Sequence, residues 1–175
     1  VQAGLDPLTG ALNRRSFAVL AERAFADAVR DEMPVCAIMI DVDHFKVVND
    51  SYGHPVGDEV LTALAGRLQR GLTQNDLLAR YGGEEFAVLL PEATLAQAAT
   101  VAERLNEIIA RRPIATSAGP IALTISLGVS ERGNTVTTVS DLLDAADRGL
   151  LHAKRTGRNR VSVSYTHLRA HETRT

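Results

Sequence analysis

Lysine is almost absent from this chain. Of 19 cationic side chains among 175 residues, only Lys46 and Lys154 are lysines and the rest are arginines. Tryptophan is missing, aromatics make up 4%, and there is a single cysteine. The net charge of −2 lacks the basic excess of a general nucleic-acid or membrane-surface binder. No apolar run approaches the ~20 residues a membrane span needs, and no secretory leader pattern is present. Cys36 lies in an apolar run and reads as a buried thiol in a reducing compartment, hence an expected cytoplasmic location. There is no G-x-x-x-x-G-K-[ST] phosphate loop. A calcium loop of the EF-hand kind starting at Asp41 also fails. It would put Phe45 at position five, Lys46 where glycine belongs and Tyr52 at position twelve. His44 and His54 have no Cys or His partner at zinc spacing.

What remains is a globular composition, 45% hydrophobic and 23% charged, at a length that suits one domain with one sizeable core. Apolar spacing predicts helices over residues 14–29 (N-cap Asn13), 44–50 and 56–72. Gly53, Pro55 and Gly57 mark a tight connection before the last of these. Thr94 with Gln97 and Thr138 with Asp141 read as capping boxes that open two further helices. The first turns Ala98, Val101, Ala102, Leu105, Ile108 and Ile109 inward, the second Leu142, Leu143, Ala146, Leu150 and Ala153. Strands are expected over 35–40, 77–79, 86–90, 121–129 and 160–163. This order predicts an α+β sandwich around a ferredoxin-like, palm-type sheet of five mainly antiparallel strands. Residues 1–164 form the domain. Residues 165–175 lack apolar periodicity and read as a disordered or artificial tail, in which His167 and His171 are no more than mobile neighbours.

The heptad Arg80-Tyr81-Gly82-Gly83-Glu84-Glu85-Phe86 joins two strand-like runs. Paired glycines accept the positive φ that tight hairpin turns demand. Adjacent glutamates repel, so the turn is either a solvated acidic turn or a divalent-cation site. The strand over 35–40 runs into Asp41-Val42-Asp43, which brings further hard oxygen ligands of the kind that suits Mg2+. Asn49 and Asp58 offer the amide and carboxylate that guanine's edge calls for, or else a helix cap and a first-turn acid. Lys154-Arg155-Thr156-Gly157-Arg158 ends a helix; its cations fit the helix dipole or a triphosphate.

Together these stretches resemble one family, the GGDEF diguanylate cyclases, in the GGEEF variant. The likeness spans about residues 6–163. It includes Asp6-Pro7-Leu8-Thr9-Gly10-Ala11-Leu12-Asn13-Arg14-Arg15, residues 41–46, Asn49, Gly53-His54, Gly57-Asp58 and residues 82–86. It continues through Ser126-Leu127-Gly128-Val129 and Ala145-Ala146-Asp147 to Lys154 and Gly157-Arg158-Asn159. The resemblance implies condensation of two GTP into cyclic di-GMP and two pyrophosphates, with two Mg2+ per site and Mn2+ as an alternative. By position, Asp41, the Val42 carbonyl, Glu84 and Glu85 match metal ligands, and Glu84 and Lys46 the catalytic groups. Lys46, Lys154 and Arg158 match triphosphate contacts, and Phe45 and Lys46 add backbone N–H groups. Asn49 and Asp58 match guanine readers, His54 lines their pocket, and Gly82 and Gly83 let the backbone approach the nucleotide. Catalysis in the family needs two facing domains. Nothing before Asp6 would hold such a homodimer, so a transient dimer and a missing N-terminal sensor or regulatory module are expected, with no nucleic-acid or membrane contact. Thr73 stands where many relatives carry the arginine of an Arg-x-x-Asp inhibitory site, while Asp76 keeps its acid. The rival implication is a module that binds GTP or cyclic di-GMP without turnover.

Overall fold

Strand β1 (Val35–Val42) is buried along its whole length, and its side chains alternate between two cores. Cys36, Ile38, Ile40 and Val42 join one, while Val35, Ala37 and Met39 join the other. An unbroken apolar run is what a strand covered on both faces requires. The computed structural model describes residues 4–164; the stretch 165–175, with His167 and His171, lies outside the described residues. β1 follows α1 (Arg14–Arg30) and leads to α2 (Phe45–Tyr52), α3 (His54–Arg70), β2 (Leu77–Arg80), β3 (Glu85–Pro91) and α4 (Leu95–Ala110). Then come β4 (Ile114–Thr116), β5 (Gly119–Ile121), β6 (Ile125–Glu131), α5 (Val139–Arg155) and β7 (Val161–Val163).

The main sheet has the order β2-β3-β1-β6-β7. Its first three pairings are antiparallel and β6–β7 is parallel. This is the five-stranded, mainly antiparallel α+β sheet expected from the sequence. Helices α2, α3 and α4 cover one face through residues such as Phe45, Leu64, Leu68 and Leu105. α1 and α5 cover the other through Phe17, Phe25, Leu142 and Leu150. No helix among the described residues is long and apolar enough to cross a membrane.

Helix boundaries follow local chemistry. Asn13 accepts from Ser16 N and starts α1, and Thr94 and Gln97 form a reciprocal capping box on α4. The second expected box is only half made. Thr138 caps Asp141 N, but the Asp141 carboxylate takes the Thr137 N–H instead (3.2 Å). Three further expectations need correction. β1 runs two residues longer than its apolar stretch, so Asp41 lies inside the ladder. α3 begins at His54, with Pro55 and Gly57 in its first turn, because proline is tolerated where the N–H has no partner. The expected strand 121–129 is two pieces: β5 pairs with β4 in a separate hairpin, and only β6 joins the main sheet. Ile114 and Ile121 pair with each other in that hairpin and, with Leu123, reach the core without joining the main sheet's ladder, so alternation alone could not separate them.

One close approach sets the position of α5. A Cβ on Gly128 in β6 would fall 2.0 Å from Ala146 O and 2.1 Å from Leu150 N, both α5 backbone. Gly149 of α5 faces it, its own added Cβ 3.2 Å from Gly128 Cα. At the opposite edge the N-terminal segment covers β2. Leu12 N donates to Leu78 O and Arg80 N to Leu12 O, both at 3.0 Å, so part of the edge strand's open hydrogen-bonding row is filled.

Candidate active site

Residues 81–84 turn the chain from β2 into β3. Tyr81 N donates to Glu85 O at 2.8 Å. Arg80 Nε and Nη2 donate to Gly83 O at 3.1 and 2.8 Å, and Arg80 Nη1 reaches Asp6 Oδ1 at 3.5 Å. Burial alone would raise the Asp6 pKa, but hydrogen bonds from Thr9 and the Arg80 charge carry it below the usual value. Arg14 stacks 4.0 Å from the Tyr81 ring centroid. The N-terminal motif thus braces the turn. Neither Gly82 nor Gly83 has a positive φ, so the paired glycines do not serve as a tight-turn device. A Cβ on Gly82 would fall 2.8 Å from Glu85 Oε1, so a larger residue there would displace the end of that side chain.

Behind the turn the sheet assembles an acidic cluster. Asp41 lies opposite Glu85 in the β1–β3 register, and Val42 N donates to Glu84 O at 3.3 Å. Asp41 is 7% exposed. Lys154, on α5, ion-pairs with its Oδ2, while its buried Oδ1 has no hydrogen-bond partner. Glu84 and Glu85 are half-buried, which disfavours the solvated acidic turn, one of the two readings that the sequence allows. Burial raises both pKa values, and Asp41 raises them further. Glu85 adds to the rise at Glu84, Asp147 adds to that at Glu85, and Lys154 opposes both. Three carboxylates therefore share the Lys154 ammonium in a desolvated pocket, with the Arg14 charge a lesser influence on Glu85 and one Asp41 lone-pair site unsatisfied. Hard oxygens short of positive charge fit Mg2+ or Mn2+. Among the described residues no three acidic, His or Cys side chains are already gathered as a chelate; Lys154 stands against Asp41 instead.

The remaining expected residues divide. Asn49 Oδ1 is buried without a hydrogen-bond partner and lies over Gly57, where a Cβ would fall only 2.0 Å from it. Asn49 thus lies against the first turn of α3, beside Asp58. Phe45 is buried beneath the same turn, and His54 and Asp58 are exposed. Lys46 does not join the acidic cluster, for it pairs with Asp50 at 2.8 Å on the exposed face of α2. Arg158 follows α5 in a left-handed conformation, φ 64°, its N–H donating to Ala153 O at 2.9 Å. Thr73 and Asp76 lie before β2, at the far end of that strand from the acidic turn. Asp76 accepts from Thr73 N and Oγ1 at 2.8 and 3.0 Å.

Asp43, read in the sequence only as a further hard oxygen ligand beside Asp41, has a bracing part that sequence reasoning missed. Its carboxylate, 4% exposed, accepts from Thr124 Oγ1 and Ser126 Oγ, both 2.7 Å away, and from Asn159 N at 3.0 Å. One buried acid therefore ties the end of β1, the start of β6 and the loop that carries Arg158. The available signal was the pair of polar residues Thr124 and Ser126 in an otherwise apolar stretch.

Comparison with known proteins gives one consistent result. Residues 3–160 match the family described as diguanylate cyclase, GGDEF domain. The chain is 40% identical over 160 residues to diguanylate cyclase DgcP of Pseudomonas aeruginosa, covering 91% of this chain and 24% of that protein. The GGDEF domain of DgcB from Caulobacter crescentus, solved in complex with c-di-GMP, is 33% identical with a TM-score of 0.88, covering 94% of each chain. The active GGEEF domain of a diguanylate cyclase from Vibrio cholerae is 34% identical with a TM-score of 0.82, covering 88% of this chain and 97% of that one. This chain spans less than half the length of the full-length curated relatives it matches first.

Proposed function

The chain belongs to the diguanylate cyclase, GGDEF-domain family, and from that premise we propose that it condenses two GTP molecules into cyclic di-GMP and two pyrophosphates. The single observation that carries this reading is the desolvated cluster of Asp41, Glu84 and Glu85 with one lysine. Each 3′-hydroxyl attacks the α-phosphorus of the other GTP. A P–O bond forms, the bridge to the β-phosphate breaks, and pyrophosphate leaves. Glu84 takes the hydroxyl proton, a role for which a raised carboxylate pKa is suited. Asp41, Glu84, Glu85 and the Val42 carbonyl are the groups that would hold Mg2+, which when bound neutralises phosphate charge and acidifies the attacking hydroxyl.

Lys154 serves two states. Without nucleotide it neutralises Asp41; with GTP present it can turn to the triphosphate, together with Arg158. Asn49 and Asp58 read guanine from the α2–α3 turn, and the buried Asn49 oxygen is the group left without an internal partner. Lys46, exposed and paired with Asp50, reaches phosphate only by exchanging that partner, which a solvated pair allows at little cost. One domain binds one GTP, so the reaction needs a two-fold pair of domains.

The test is incubation with GTP or ATP and Mg2+, followed by chromatography of the products. Cyclic di-GMP from GTP alone, at a specific activity that rises with protein concentration, is the expected result. Fusion of a dimeric coiled coil ahead of Asp6 should raise it further by increasing effective concentration. GTP binding without turnover in the fused dimer would establish a binding module instead. A concentration-independent specific activity would remove the facing-dimer requirement.

A further inference from the structure

Where α3 and α4 end, four arginines converge on one cavity. It measures about 250 Å3 and is lined by Arg67, Arg70, Ile108, Arg111 and Arg112. No acidic side chain lines it. None of these arginines forms an ion pair among the described residues. Arg67 is 8% exposed, its Nη1 donating to Arg112 O at 2.6 Å and Nη2 to Pro113 O at 2.8 Å. Those bonds fix a guanidinium as the cavity wall with further N–H groups left over. Cations at helix C-termini are ordinary, because they oppose the helix dipole. Two helix ends sharing one cavity are different, since their cations then repel one another. Burial, Arg112 and Arg70, in that order, lower the Arg67 pKa, which registers that repulsion. With no acidic side chain beside it, such a cluster is one that a bound anion would stabilise.

We propose that this cavity is a binding site for a compact anion carrying a diphosphate group. Arginine forks match phosphate oxygens in pairs, so one diphosphate engages several of them at once. The volume corresponds to roughly eight water molecules, below the ~300–1,000 Å3 usual for whole-ligand pockets. A diphosphate fits, whereas a purine nucleotide could enter only by its phosphate end. The cavity is separate from the candidate active site: Arg70 lies twelve residues along α3 from Asp58, roughly 18 Å.

Calorimetry on the purified domain, in EDTA to disfavour phosphate at the acidic cluster, tests this with inorganic pyrophosphate, orthophosphate and GTP. Pyrophosphate is expected to bind at least tenfold more tightly than orthophosphate. The double variant Arg111→Gln/Arg112→Gln should weaken it at least tenfold, with the melting temperature and cyclase activity unchanged because both side chains are exposed. Lys154→Gln/Arg158→Gln should leave this binding intact, whatever becomes of turnover. GTP binding lost with Arg111 and Arg112 alongside pyrophosphate would show that the phosphate tail of a nucleotide also enters. Binding abolished by Lys154→Gln/Arg158→Gln, or indifferent to Arg111 and Arg112, would overturn the proposal. So would binding of GTP at the arginines without binding of free pyrophosphate.

Discussion

Gly128→Ala adds one carbon where strand and helix already touch. The new Cβ would lie 2.0 Å from Ala146 O, 2.1 Å from Leu150 N and 2.7 Å from Gly149 C. All three are α5 backbone atoms, so no rotamer change relieves the overlap, and the helix must retreat by about 1 Å. A gap of that size forfeits about a quarter to a half of the dispersion attraction of the atoms along it, here those of Leu142, Ala146 and Leu150. Overpacking of this kind costs about 1–3 kcal/mol or more, and a backbone clash belongs at the upper end. The unfolded chain's smaller freedom with alanine returns roughly 0.4–1 kcal/mol. The net expectation is a loss of about 2–3 kcal/mol, or roughly 4–12 °C in melting temperature for a domain of this size. Turnover should fall as well, because α5 carries Lys154 to Asp41 and a displacement of about 1 Å can cost on the order of a hundredfold. Thermal melts and GTP turnover at a temperature where the variant is folded read the two effects separately. Gly66→Ala is the control. Its Cβ meets nothing nearer than Arg70 Nη1 at 3.7 Å, so alanine in α3 should stabilise by about 0.5–1 kcal/mol. A Gly128→Ala protein that melts with or above the parent would refute the reasoning.

Glu84→Gln should reduce turnover by on the order of a hundredfold or more, yet raise the melting temperature of the metal-free domain near pH 8. Its folded-state pKa is raised, so its contribution to stability is fully present below the usual carboxylate value and is lost as pH climbs through the raised one. The variant's advantage should therefore shrink towards pH 4.5, and a lower melting point at pH 8 would sink the idea. Asp43→Ala strands two hydroxyls and the Asn159 N–H, which should destabilise by about 3 kcal/mol or more. It should also raise KM for GTP by loosening the Arg158 loop; calorimetric melts and steady-state kinetics measure both. Thr73→Arg should confer product inhibition, lowering the inhibitory cyclic di-GMP concentration about ten- to hundredfold through a charge-assisted fork that threonine lacks. Strong non-competitive inhibition of the unmodified chain, abolished by Asp76→Ala, would contradict this.

Much of the fold could be read in the chain because its signals are local. The Asn13 cap and the Thr94–Gln97 box depend on residues three apart, and the β1 run is apolar because both its faces are covered. The strand expected over 121–129 failed for the opposite reason. Apolar alternation reports that Ile121, Leu123 and Ile125 reach a core, but says nothing about which ladder, if any, their backbone joins. The Gly82-Gly83 turn failed similarly: sequence offers glycine's freedom, whereas neither glycine takes a positive φ in the fold.

The candidate site divides along the same line. Residue order alone determined that carboxylates would stand at Asp41, Glu84 and Glu85, since motif spacing is a property of the chain. It also determined the family, because so many short matches recur in sequence. Which cation meets which acid was decided only in three dimensions. Lys46 and Lys154 look equivalent on the page, yet Lys46 pairs with Asp50 one helical turn away, while Lys154 crosses 113 positions to Asp41. The glycine contact between β6 and α5 brings that lysine there. The same packing desolvates Glu84 and Glu85 and gives Asp43 its three donors. Burial and charge proximity arise from elements distant in the chain, so local sequence carries no trace of their sum.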